Sequence, residues 1–168
     1  GNVKWIGRKG SLFKKNLMIT QMKVRGLMID PHNSSYVVLL QCEESQEVLP
    51  IWVGKPEASA ISCALEGLSS PRPMTHDLMK TLVDSVDAKV LSASITDLRN
   101  NTYYAKVHIA YGNSFFAIDS RPSDAIAFAL RAEAPIFVSE DVIQKHDDEE
   151  VDRWLENLKP EDFGKYEV

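Results

Sequence analysis

Apolar and polar residues alternate loosely from residue 17 to 29, then apolar and β-branched residues run almost unbroken from Tyr36 to Cys42 and from Val48 to Val53. Alternation marks a half-buried strand and a short continuous run a fully buried one, so three strands are predicted. Asp30-Pro31-His32-Asn33 and Glu43-Glu44-Ser45-Gln46 between them are turn material, which makes the three a meander. The period then lengthens. Pro56 supplies a φ suited to a first helical turn, Ala60, Ile61, Ala64 and Leu65 fall on one face, and Gly67 ends the helix. After the Pro71-Arg72-Pro73 loop, Thr75 is expected as N-cap of a second helix whose apolar stripe is Leu78, Met79, Leu82, Val83 and Val86.

From residue 89 the order βββαα starts again. Strands are predicted at 89 to 97, Tyr103 to Tyr111 and Phe115 to Asp119, with turns at Asn100-Asn101 and Gly112-Asn113. Helices follow at 122 to 131 and from Ser139, with Ala134 to Val138 as a brief strand between them. The two halves can be laid over one another by subtraction. Lys23-Val24 matches Lys89-Val90 at an offset of 66, Asp30 and Tyr36 match Asp97 and Tyr103 at 67, and Pro56 matches Pro122 at 66. The offset then drifts to 65 at Ala60 and Ala125, and to 64 at Thr75-x-Asp77 and Ser139-x-Asp141. Two copies of such a unit suggest a duplicated half-domain, its sheets joined into one barrel-like mixed sheet with helices outside. The fold class expected is therefore α+β, preceded by an extension over residues 1–16. An acidic segment over 147–168 follows, in which Val151, Trp154, Leu155 and Leu158 form an amphipathic helix ahead of Pro160.

Composition narrows the class. A chain of 168 residues with 44 % hydrophobic and 26 % charged residues suits one globular domain. It has no apolar run of membrane-spanning length and no secretory signal pattern, so a cytoplasmic location is the default expectation. Cys42 and Cys63 stand in apolar contexts without metal-ligand spacing and read as buried hydrophobes. The net charge of −5 argues mildly against a protein that grips nucleic acid over a broad surface, although much of the acid lies beyond residue 140.

Three polar clusters carry candidate chemistry: Arg72-Pro73-Met74-Thr75-His76-Asp77, the pair Thr96-Asp97, and Asp119-Ser120-Arg121-Pro122-Ser123-Asp124. His76 can move a proton near neutral pH, Asp77 can hold its tautomer, and Arg72 offers a fork for phosphate. The plainer reading makes both residues first-turn positions of a helix, where a carboxylate suits the dipole. Asp119 and Asp124 could hold a divalent cation, Mg or Mn, while Arg121 faces phosphate; the plainer reading is an Arg121–Asp124 ion pair on a helix surface. Glu57 and Glu66 open and close the first helix, with Glu66 on a polar face alongside Ser59, Ser62 and Cys63. His108 shares a strand face with Tyr104 and Lys106. The aromatics Tyr103, Tyr104, Tyr111, Phe115 and Phe116 are expected mainly as core packing rather than as a base-stacking platform.

The segments LPIWVGKPEASAISCALEG, RPMTHDLMKTLV, ITDLRNNTYYAKV and IDSRPSDAIAFALRAEAPIFVSEDVI together closely resemble the bifunctional nuclease domain family, over roughly Leu17 to His146. The resemblance implies an α+β domain of two βββαα repeats on a barrel-like sheet. It also implies, from plant members, hydrolysis of RNA and DNA, and a homo-oligomer, a dimer first. The family's polar motifs fall here on Glu66, Arg72, Thr75, His76, Asp77, Asp97, Asp119, Arg121, Ser123 and Asp124. Expected roles are catalysis by His76, Asp77, Asp119 and Asp124, phosphate binding by Arg72, Arg121 and Ser123, and support from Glu66, Thr75 and Asp97. The alternative is a non-catalytic oligomeric domain that binds a small anionic ligand or a protein partner.

Overall fold

The structure, a computed structural model, describes residues 18–30 and 33–145. The N-terminal extension and the helix expected around Trp154 lie outside those residues. Seven strands form one mixed sheet: β1 (Ile19–Ile29), β2 (Tyr36–Gln41), β3 (Val48–Val53), β4 (Lys89–Arg99), β5 (Thr102–Tyr111), β6 (Ser114–Ser120) and β7 (Ile136–Ser139). Among the described residues four helices accompany them: α1 (Lys55–Glu66), α2 (Thr75–Ser85), α3 (Pro122–Ala132) and α4 (Glu140–Lys145). The strand order is β3-β2-β1-β7-β4-β5-β6. Each meander is antiparallel, and the short β7 joins them, running antiparallel to β1 and parallel to β4.

Local chemistry accounts for the turns. Asn100 and Asn101 both take left-handed φ, 50° and 61°, the pairing a two-residue hairpin demands and one that asparagine tolerates. Gly67 ends α1 at φ 64°, where its N–H reaches back to the last carbonyls of the helix. The first turns of α1 and α3 each hold a proline, whose missing N–H costs nothing there.

The core lies on the helix-covered face, where Met22, Val38, Leu40, Ile51, Ile61, Ile95, Ile126 and Val138 are sealed from solvent. In α3 the positions Pro122, Ser123, Ala125, Ile126, Ala127, Phe128 and Ala129 are all buried. That is more than one face, because α3 rests on β4 and β5 with α1 and α2 at its sides. Met28, Val37 and Leu39 form a second, smaller cluster with Val48 on the opposite face of β1 and β2.

Several expectations change. The sheet is not closed into a barrel: it ends in β3 on one side and β6 on the other. It is curled enough, however, for the Tyr103 hydroxyl on β5 to donate to the Pro50 carbonyl on β3 at 3.5 Å, and burial pushes the Tyr103 phenol up to about 12. The internal duplication rests on the sequence offsets alone. Met74, not Thr75, is the N-cap of α2; the cap is made from the other side, with Asp77 accepting from the Met74 N–H at 2.9 Å. Only Met79 and Val83 of the expected α2 stripe pack on the core, while Leu78, Leu82 and Val86 are exposed. On α1, Cys63 is buried as expected and Ser62 is buried with it, while Glu66 is exposed. Tyr111, Phe115 and Phe116 are exposed and are not core residues.

Ile126 sits fully enclosed at the centre of α3, so Ile126→Ala should cost roughly 2–5 kcal/mol through lost transfer energy and a residual cavity. Gly67→Ala, which forces a Cβ onto a left-handed backbone, should cost only about 1 kcal/mol. Urea unfolding midpoints of the two variants should rank in that order.

Candidate active site at the helix junction

The N-termini of α1, α2 and α3 meet in one polar cluster. Its hub is Asp124, in the first turn of α3. Oδ1 of Asp124 is 3.0 Å from His76 Nε2, and Arg121 folds back so that Nε donates to Oδ2 at 2.8 Å and Nη2 to Oδ1 at 3.2 Å. The third nitrogen of Arg121, Nη1, donates to Glu57 Oε1 at 3.1 Å, tying α1 to α3. Planar guanidinium geometry makes this possible, since its fork can serve two carboxylates at once.

The electrostatics follow from these contacts. Burial pulls the Asp124 carboxyl upward, but hydrogen bonds from Arg121 and His76 outweigh it and hold the group below the usual carboxylate range. Arg121 is held above its ordinary value by Asp124 first and Glu57 second. Asp124 therefore stays ionised beside His76. An ionised Asp124 accepts from Nε2–H, and in the neutral ring that tautomer leaves the lone pair on Nδ1. His76 is only 7 % exposed, whereas the Arg121 side chain is 64 % exposed and presents its charge to solvent.

A second network lies beside the first. Arg131, near the end of α3, donates from Nε to Asp77 Oδ1 at 2.7 Å and from Nη1 to the Ala127 carbonyl at 3.0 Å. Asp77 is lowered by the Met74 N–H first and Arg131 next. Its oxygens are thus taken up in capping α2 and docking it onto α3. His76 and Asp77, adjacent in sequence, serve different partners.

The other expected residues are elsewhere. Asp97, on β4, is lowered chiefly by a hydrogen bond from Lys145 and is also bound by Arg99 and the Leu98 N–H. Asp119 is exposed on β6, paired across the ladder with Lys106. Among the described residues, Asp119, Arg72, Glu66 and Thr75 make no side-chain hydrogen bond or ion pair to the cluster, and all four are exposed. Ser123 is buried in the first turn of α3. His108 is half-buried, its ring 3.2 Å from Ser94 Oγ, and burial pushes it down. Glu57 and Arg131 belong to the networks and were not among the expected site residues. Glu57 had a signal: at an offset of 66 it is the counterpart of Ser123, next to the proline that opens each helix. Arg131 had none, being one more cation in a last helical turn.

Among the described residues, a divalent cation on Asp119 and Asp124 finds no third His, Cys, Asp or Glu ligand. Among the described residues no group of three or more His, Cys, Asp or Glu side chains is placed to hold a metal ion, and both Asp124 oxygens already accept from Arg121. No helix among the described residues is long and apolar enough to cross a membrane.

An uncharacterized protein of Mycobacterium tuberculosis is 34 % identical over 123 residues, 73 % of each chain. Bifunctional nuclease 1 of Oryza sativa subsp. indica is 29 % identical over 129 residues, and bifunctional nuclease 2 of Arabidopsis thaliana 27 % over 112. The aligned part is 74 % and 65 % of this chain but only 39 % and 33 % of those plant proteins. The family model described as the bifunctional nuclease domain matches residues 38–150, which takes in all three helix N-termini of the cluster, and the chain belongs to that family.

Proposed function

We propose that the chain is a nuclease that hydrolyses phosphodiester bonds in RNA and DNA at the junction of α1, α2 and α3. The observation that carries this reading is the Asp124 carboxylate shared by His76 and Arg121, which couples a proton carrier to an exposed cation. Family membership supports the nucleic-acid substrate, as relatives bear the name bifunctional nuclease. In the proposed reaction Nδ1 of His76 takes a proton from a water molecule whose oxygen attacks phosphorus. The P–O ester bond breaks, and the leaving oxygen is protonated from the imidazolium or from solvent. Asp124 stabilises the imidazolium as it forms, and Arg121 neutralises the charge that builds on the phosphoryl oxygens. Arg72, exposed in the loop ahead of α2, supplies a second cation to the strand. Asp77 acts here through α2, as the group that positions His76.

A second reading, a non-catalytic domain binding a small anionic ligand or a protein partner, is favoured by one observation. His76 is almost enclosed, and Arg121 is already paired with two carboxylates.

Purified wild type and variants assayed on single-stranded RNA and DNA, with divalent cations supplied and with a chelator, separate the two readings. His76→Ala and Asp124→Asn should each lower kcat by about 10²–10⁴-fold. Asp77→Ala should lower kcat less than either of these while costing about 1–2 kcal/mol of stability, since it removes the cap of α2 and the carboxylate partner of Arg131. Cleavage that is equal in wild type, His76→Ala and Asp124→Asn removes this site, and no cleavage under any condition leaves the binding domain.

Acid should expose the Asp124 contribution. Its folded pKa is depressed, so the stabilisation is complete above the unfolded value of about 4 and disappears as pH falls through the folded value. Urea midpoints of wild type and Asp124→Asn should therefore differ at neutral pH and converge at more acidic pH than that.

A further inference from the structure

Strand β6 presents two sets of side chains to different surroundings. Its register against β5 sets Ser120 beside Ala105, Ile118 beside Val107 and Phe116 beside Ile109, on the sheet face that holds the core. Ala105 and Val107 are buried, with α3 resting on β5, but among the described residues no helix covers β6. Phe116 and Ile118 are therefore 49 % exposed each. Tyr111, diagonal to Phe116 across the hairpin and 54 % exposed, extends the row. Phe115, Ala117 and Asp119 alternate to the opposite face, so the one charge of β6 is turned away from the row.

The row ends at the candidate site. Ser120 passes into Arg121 without a turn, and Arg121 keeps extended backbone angles, φ −69° and ψ 147°. At the ~3.3 Å rise of a strand residue, Ile118 lies roughly 10 Å along the chain from Arg121 and Phe116 roughly 17 Å. Three of the five N–H groups of the Arg121 guanidinium are donated to Asp124 and Glu57, and two remain for an incoming anion. An exposed cation followed by an uncharged, partly aromatic row fits a phosphate and the unpaired bases attached to the same strand. A protein surface is the rival occupant; the cation at the end of the row favours a chain that is anionic at every unit.

We propose that Ile118, Phe116 and Tyr111 form a stacking platform for unpaired bases of the RNA or DNA strand whose phosphate lies at Arg121. The proposal deepens the nuclease reading and rests on it for the phosphate at Arg121. Ile118 supplies an apolar floor next to the site, and the rings of Phe116 and Tyr111 supply flat faces further along. Stacking uses the π-face that every base has and makes no contact with the 2′ position of the sugar, so one platform serves ribose and deoxyribose strands alike. In a duplex the bases already lie on one another and have no free face to give, so the substrate that fits is single-stranded.

Fluorescence anisotropy on the full chain carrying His76→Ala, which slows cleavage, measures affinity for two labelled probes, oligothymidylate and an abasic chain of the same length. Low salt keeps binding through phosphates alone measurable. Adding Phe116→Ala should weaken oligothymidylate binding by about tenfold and leave the abasic chain unaffected, because only the first has bases to stack. Phe116→Tyr, which keeps a ring, should bind as its parent does. Phe115→Ala removes a more exposed ring, 76 % exposed, from the other face of the same strand, and should change neither affinity. Circular dichroism of the variants should match the parent. No binding of oligothymidylate, equal affinities of the Phe116→Ala and Phe115→Ala chains, or equal weakening with both probes overturns the proposal. So does a Phe116→Ala chain that sediments differently and binds normally, which would make the row a protein contact. The nuclease reading is scored separately: cleavage by wild type with normal binding by Phe116→Ala keeps the site and removes the platform. The expected affinities without any cleavage keep the platform and remove the nuclease.

Discussion

Almost everything in this protein follows from how deeply α3 is buried. A helix with Ala125, Ile126, Ala127, Phe128 and Ala129 all out of solvent cannot lie on a surface; it needs a sheet beneath it and helices on both flanks. Small residues let the neighbours come close, and the order of the chain supplies α1 on one side and α2 on the other. The open seven-stranded sheet curls around this arrangement, far enough for Tyr103 to reach Pro50 without closing into a barrel.

A helix so enclosed must satisfy its polar ends locally, and that requirement builds the candidate site. Asp124 stands partly buried at one end of α3 and Arg131 near the other, each too costly to leave unpaired. Asp124 is met by His76 and Arg121, Arg121 reaches Glu57, and Arg131 is met by Asp77. The same bonds that dock α1 and α2 onto α3 fix the tautomer of an imidazole and hold a guanidinium toward solvent. Stability and chemistry share these groups, so a loss of activity on mutation is informative only beside a measurement of folding.

The periodicity of the chain carried the elements. Two-residue alternation located the strands within a few residues, Asn100-Asn101 and Gly112-Asn113 located the hairpins, and Pro56, Gly67 and Pro122 located helix ends. These are local properties: φ preference and which side of a strand or helix a residue faces depend on near neighbours alone. The polar motifs around His76 and Asp124 were visible in the same way, as unusual clusters beside apolar runs.

Partnership was not visible. Glu57 meets Arg121 across 64 residues and Arg131 meets Asp77 across 54, and nothing within either segment distinguishes those contacts from solvated side chains. Asp119 and Asp124, five residues apart, look like one site in sequence, yet only Asp124 joins the helix junction while Asp119 stays on β6. Phe116 and Ile118 have the pattern of core strand residues, but among the described residues no helix covers the last strand, and so the same pattern becomes an exposed edge. The sequence by itself determined the elements and the face each residue occupies, because those are set by backbone geometry over a few residues. Which faces are covered, and which charges meet, was decided only by the docking of whole elements, where the reach of a side chain and the width of a sheet count.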